Sequence, residues 1–180
     1  MTESKYIWMD GEFVNWHDAK VHVLSHTLHY GNGAIEGTKA YKTVDGRCAI
    51  FKLNEHTQRL LNSSKMTLMN VPFTLEELNK AQIELLQKNE LFDGAYIRPL
   101  VYLGYGVMGL YHKEAPVKVS VSAWEWGAYL GEEGLRKGVR VKISSFTRTP
   151  NTSGMGKAKA VANYLNSQMA KFEAVEAGYD

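Results

Sequence analysis

Between Val117 and Trp124 the chain runs Val-Lys-Val-Ser-Val-Ser-Ala-Trp, apolar at every second position for most of its length. That period of two fits a β-strand with one buried and one open face. It does not fit a helix, whose apolar positions recur every three or four residues. Such a strand needs partners beside it and a layer packed on its apolar face. Ala95-Tyr-Ile-Arg-Pro-Leu-Val-Tyr supplies a second strand pattern. Two Asp-Gly pairs add hairpins, because Asp-Gly accepts the left-handed backbone of a tight turn. Asp10-Gly11 separates Tyr6-Ile-Trp-Met from Phe13-Val-Asn-Trp, and Asp45-Gly46 separates Ala40-Tyr-Lys-Thr-Val from Ala49-Ile-Phe-Lys-Leu.

Two helices supply the covering layer. Asn54 is placed to cap a short helix carrying His56, Arg59 and Leu60, and Thr74-Leu-Glu-Glu77 has capping-box spacing ahead of Leu78, Ala81 and Leu85. The expected class is therefore α+β. The glycines and mixed charge between Gly127 and Gly138 mark a linker, which divides the chain into a domain at 1–126, a connection at 127–137 and a new unit at 138–180. In that unit Val139, Val141 and Ile143 alternate with polar residues as a strand would. Val161, Leu165, Met169, Phe172 and Val175 then form one helical face that ends before Gly178.

Charge narrows the classes of partner. Lys and Arg total 21 against 19 for Asp and Glu, and a net charge of +2 gives no electrostatic reason to expect nucleic acid or a membrane surface. The uncharged stretch from Pro99 to His112 is too short to span a bilayer and is interrupted by glycines. Cys48 is the only cysteine, so no internal disulfide forms and its expected role is that of a small buried hydrophobe. With no signal-peptide pattern at the start, the expected location is the cytoplasm.

Several residue groups invite chemistry. His22, His26 and His29 have helical spacing, but no acidic residue or cysteine accompanies them. Packing or hydrogen bonding is the expectation, and no metal. Gly31-Asn-Gly33 fits no phosphate-binding fingerprint and reads as a tight turn. Lys157 and Lys159 precede the last helix, where most lysines are solvated and a few are amine nucleophiles. Arg59 and Arg98 are by themselves as well explained by structural ion pairs. Tyr30, Tyr96, Trp126 and Tyr129 are equally well explained as core aromatics.

Resemblance at several separated places, in the right order, shifts that balance. The chain resembles the bacterial branched-chain amino-acid aminotransferases over essentially its whole length. The resemblance rests on Tyr6-Ile-Trp-Met-Asp-Gly-Glu, Ala19-Lys-Val-His-Val-Leu-Ser-His-Thr-Leu-His-Tyr-Gly, Glu36-Gly37, Glu55-His-Thr-Gln-Arg-Leu, Ala95-Tyr-Ile-Arg-Pro-Leu, Trp126-Gly-Ala-Tyr-Leu-Gly and Lys159-Ala-Val-Ala-Asn-Tyr-Leu. It implies a fold type IV enzyme using pyridoxal 5'-phosphate: a small amino-terminal domain, a linker and the beginning of a larger cofactor-binding domain, incomplete at Asp180. Lys159, four residues before Asn163-Tyr164, matches the Schiff-base lysine, with Lys157 the weaker match. Arg59 matches the arginine on the cofactor phosphate, and Tyr164 the contact to the ring hydroxyl.

Tyr30, Ile35, Tyr96, Arg98, Trp126 and Tyr129 match positions lining the substrate pocket, with Arg98 toward a distal carboxylate. Ile35 departs from the aromatic residue common there, which reshapes the aliphatic pocket. The implied reaction moves an amino group between leucine, isoleucine or valine and 2-oxoglutarate, giving glutamate, in a homo-oligomer built from dimers. Two competing readings stand beside it. One is a D-amino-acid aminotransferase or aminodeoxychorismate lyase of the same fold; the other is a silent fragment acting only by association. The 180 residues alone are expected not to suffice for turnover.

Overall fold

The structure, a computed structural model, describes residues 2–127, 131–150, 152 and 156–180. Among these residues one antiparallel sheet of seven strands organises the chain. Strands β1 (Tyr6–Met9), β2 (Glu12–Asn15), β3 (Gly33–Ile35), β4 (Thr38–Lys42), β5 (Cys48–Ile50), β6 (Ala95–Leu103) and β7 (Val117–Glu125) run in the order β2-β1-β7-β6-β4-β5, with β3 also paired to β6. The two strands with the clearest sequence pattern lie at the centre and pair from Ala95↔Glu125 to Leu103↔Val117. Helices α1 (His26–Tyr30), α2 (Leu53–Met66) and α3 (Leu75–Asn89) follow, then α4 (Gly131–Lys137) and α5 (Tyr164–Glu176).

Alternation decides which face carries which work. Ile97 and Val101 of β6 and Val119, Val121 and Ala123 of β7 point to one side, where they bury against Leu60 of α2 and Leu78 and Leu85 of α3. Fully burying a side chain of this size contributes about 1.5–3 kcal/mol, so this layer holds the domain together. The intervening residues, Tyr96, Arg98, Leu100 and Tyr102 opposite Trp124, Ser122, Ser120 and Lys118, lie on the other face.

Both hairpins form as their Asp-Gly pairs predict. Met9 pairs with Glu12, leaving Asp10 (φ 50°) and Gly11 (φ 104°) as a two-residue turn with both φ values positive. Lys42 pairs with Cys48 around a longer turn in which Gly46 takes φ 81°. The capping box at α3 is complete: Thr74 Oγ1 accepts from the Glu77 amide, and Glu77 accepts from the Thr74 amide.

Three expectations are corrected. Asn54 does not cap α2, which starts one residue earlier behind Lys52 in the left-handed region; Asn54 instead accepts from Asn79 Nδ2 (2.6 Å). Cys48 is exposed, because β5 is an edge strand with one neighbour. Within the segment expected to be a linker, residues 131–137 form α4.

The third correction concerns residues 139–144, which form no strand. A strand needs a neighbour to receive its amides, and among the described residues none runs beside this one. Side chains replace it. Lys142 Nζ, Ser144 Oγ and the Ser145 amide donate to Glu173 of α5, and the Arg140 amide donates to Asp180. The last helix itself begins with a 3₁₀ turn at Val161–Asn163.

Candidate active site

Residues 158–160 lie against the main sheet as a short added edge. Ala160 bridges Ala34, the Ile35 amide donates to Lys159 O (3.1 Å), and the Lys159 amide donates to Ser63 Oγ of α2 (3.0 Å). Ala158 and Ala160 are buried on either side of Lys159, which fixes its backbone while its side chain points outward. Lys159 Nζ donates to Tyr164 Oη (2.8 Å). Lys157, two residues earlier, is exposed. Lys159 thus has its backbone tied to β3 and α2 and its amine on Tyr164.

Lys159 and Tyr164 open onto a cleft of about 600 Å³ that Arg59, Arg148, Lys157 and Asn163 also line. Its described lining carries four cationic side chains and no carboxylate. Such a wall favours a strongly anionic group such as a phosphate, which guanidinium donors hold well. Arg59 comes from α2 and Tyr164 from the first turn of α5, so elements far apart in sequence line the cleft together.

A second cluster occupies the open face of the sheet. Tyr96 packs edge-on against Trp126 (4.8 Å between ring centres) and beside Trp124 (5.1 Å). Arg98 Nη2 donates to Tyr96 Oη (2.7 Å), and Arg98 Nε is buried without a hydrogen-bond partner among the described residues. A buried unpaired donor costs about 1–3 kcal/mol, a cost that a carboxylate acceptor would remove. Tyr30 stacks on His26 and lines a third groove, which shares Ala160 and Asn163 with the cationic cleft. Tyr129 lies outside the described residues.

Ile35-Glu36-Gly37 joins the first two clusters. Ile35 holds Lys159 through the backbone, Glu36 binds Arg59, and Gly37 lies directly under the Tyr96 hydroxyl. The Glu36 carboxylate is buried and accepts from Arg59 Nε and Nη2, from His56 Nδ1 and from the Gly37 amide. Burial pushes its pKa up, but the hydrogen bonds from Arg59 and His56 outweigh that and hold it below the ordinary 4.5. Sequence reasoning gave Glu36, His56 and Ser63 no role. The signal that could have found them is that His56, Arg59 and Ser63 recur at helical spacing on one face of α2.

The histidines behave as packing and hydrogen-bonding residues. His26 is buried with Nε2 on Gly109 O (2.8 Å), while His29 bonds Val23 O. Among the described residues no group of three or more His, Cys, Asp or Glu side chains is placed to hold a metal. No described helix is long and apolar enough to cross a membrane.

The model of the family described as amino-transferase class IV matches residues 33–180, and the chain belongs to that family. It is 47% identical over 174 residues to a branched-chain-amino-acid aminotransferase of Pseudomonas aeruginosa, covering 97% of this chain and 56% of that protein. The Escherichia coli K12 relative of the same description is 43% identical, with 99% and 58% covered. A crystal structure of a T.th. branched-chain amino acid aminotransferase with pyridoxamine 5'-phosphate superposes with a TM-score of 0.93 at 47% identity, covering 100% of this chain and 59% of that one. The fold is accordingly the fold type IV arrangement of these enzymes. The chain spans a little over half the length of the relatives it matches.

Proposed function

We propose that the chain carries the cofactor lysine and one wall of the substrate pocket of a pyridoxal 5'-phosphate-dependent branched-chain amino-acid transaminase. Leucine, isoleucine or valine would give its amino group to 2-oxoglutarate, forming glutamate. One observation carries this reading: the Lys159 amine, held 2.8 Å from the Tyr164 hydroxyl, faces a cleft with a cationic wall and no described carboxylate. That donor set fits a phosphate monoester bearing an aldehyde. When bound, the pyridoxal ring supplies the electron sink for the pair released at the substrate α-carbon.

The chain's own residues supply position and proton movement. Lys159 Nζ would be the attachment point for the cofactor aldehyde and the base that moves the proton at the substrate α-carbon. Tyr164 Oη orients that amine and meets the ring hydroxyl. Arg59 faces the phosphate with guanidinium donors that Glu36 does not use. Tyr30, Ile35, Tyr96 and Trp126 would enclose the substrate side chain, and Arg98 would take the second carboxylate of glutamate or 2-oxoglutarate. A related enzyme has been solved with N-(5'-phosphopyridoxyl)-L-glutamate and with 4-methylvaleric acid, one acidic and one branched aliphatic ligand, which supports a pocket with both demands. A cytoplasmic homo-oligomer is the assembly in keeping with the family.

The test loads the protein with pyridoxal phosphate, reduces it with borohydride and maps the pyridoxyl mass. The mass is expected on the peptide bearing Lys159, and Lys159→Ala should abolish transfer from L-leucine to 2-oxoglutarate. An adduct on Lys157, or transfer confined to D-amino acids, would overturn the reading.

A further inference from the structure

Glu36 has no part in the chemistry just described, yet it is among the most enclosed ionisable groups of the chain, with 0% of its surface exposed. A carboxylate so far from water persists only when donors fill its oxygens and a cation matches its charge. Arg59 fills both requirements through Nε and Nη2, and His56 Nδ1 (2.8 Å) and the Gly37 amide (3.2 Å) complete the set. So enclosed, Glu36 has no exposed surface to offer a substrate. Its effect must pass through Arg59.

Arg59 is pinned along one edge only. The two bonds to Glu36 fix the plane of the guanidinium, because a two-point contact removes rotation about the long side chain. The side chain is still 53% exposed and lines the cleft beside Lys159 and Tyr164. The donors that Glu36 leaves unused are those that remain for a ligand. We propose that Glu36, braced by His56, is a positioning residue that aims the free edge of Arg59 at the phosphate of the bound cofactor; this rests on the reading that Arg59 meets that phosphate.

Charge and geometry predict opposite signs here. Glu36 cancels the Arg59 charge, so if only net charge mattered, removing the carboxylate would tighten binding of a dianion. If orientation matters, removing it loosens binding despite the gain in positive charge. The readout is the ratio of the equilibrium affinities for pyridoxal phosphate and unphosphorylated pyridoxal, followed by absorbance in the intact chain. A merely structural defect lowers both affinities and leaves the ratio unchanged.

Glu36→Gln is expected to lower the ratio about tenfold, and combining it with Arg59→Ala should lower it no further than Arg59→Ala alone. Glu36→Asp keeps the charge but withdraws the carboxylate by one methylene, so it isolates geometry if the glutamine variant does not fold; its ratio should also fall. An unchanged or raised ratio in these Glu36 variants, with a lowered ratio in Arg59→Ala, would overturn the positioning role. An unchanged ratio in Arg59→Ala would instead overturn the phosphate assignment, and the proposal with it.

Discussion

Gly37 has the tightest steric tolerance on the substrate side. A Cβ there would overlap Tyr96 Oη and stand 2.7 Å from its Cζ, so Gly37→Ala must swing a rigid ring out of place. That ring also accepts the Arg98 bond and packs on Trp126. The substitution is expected to destabilise the protein by about 1–3 kcal/mol in thermal unfolding, as overpacking does, and Tyr96→Ala in the same chain should restore part of the loss. Arg98 offers a functional counterpart. Because only glutamate and 2-oxoglutarate bring a second carboxylate, Arg98→Ala should weaken their half-reaction by roughly 2 kcal/mol, about thirtyfold, while the leucine half-reaction changes little. Equal losses in single-turnover kinetics would make Arg98 structural. The family resemblance singled out Lys159 as a candidate because its match, with Asn163-Tyr164, lies on one short run of chain. Glu36 was not: its partners His56 and Arg59 are 20 and 23 residues away, and a buried carboxylate is intelligible only once folding has brought its cations to it.

Elements whose signals are local were readable in advance. The period of two placed β6 and β7, the Asp-Gly pairs placed both hairpins, and Thr74 with Glu77 placed the start of α3. Residues 139–144 have an equally good alternating pattern and still form no strand, because alternation states which face is apolar and not whether a neighbour exists to take the hydrogen bonds. Glu173 supplies the substitute contacts, and Ser144, Lys142 and the Ser145 amide pull its pKa down to about 2. A carboxyl depressed in the folded state contributes stability above its ordinary value of 4.5 and loses that contribution as the pH falls through about 2. Exchange protection of the Ser145 amide should therefore be full near neutrality and disappear between pH 4.5 and about 2. In Glu173→Gln it should be weak at every pH, and protection that survives acid in the unsubstituted chain would show that Glu173 does not hold this segment.

At the scale of the whole molecule, the two parts of the chain differ in how well they satisfy themselves. The sheet and α2–α3 enclose a continuous apolar layer, whereas Val141, Ile143, Leu165, Phe172 and Val175 remain exposed, Ile143 to 96%. The sequence pattern showed that these residues form apolar faces, but periodicity does not state what covers such a face. Exposed apolar side chains of this size are unfavourable in water, and covering these five would contribute about 5–10 kcal/mol before ordering costs. This chain spans 56% of the Pseudomonas aeruginosa relative. As a 180-residue polypeptide the chain should therefore bind a hydrophobic dye through residues 141–175 or self-associate. Fusing it to the carboxyl-terminal portion of the Pseudomonas aeruginosa relative should suppress both behaviours. The catalytic expectation runs in parallel, since Lys159 and Tyr164 flank the exposed face and depend on α5 being held in place. Transfer from leucine to 2-oxoglutarate by the fused protein should exceed that of the 180-residue chain by about a hundredfold or more, a barrier difference of about 3 kcal/mol. Comparable turnover by both, with no dye binding by the shorter, would show that the cationic cleft is already competent with its apolar neighbour face open to water.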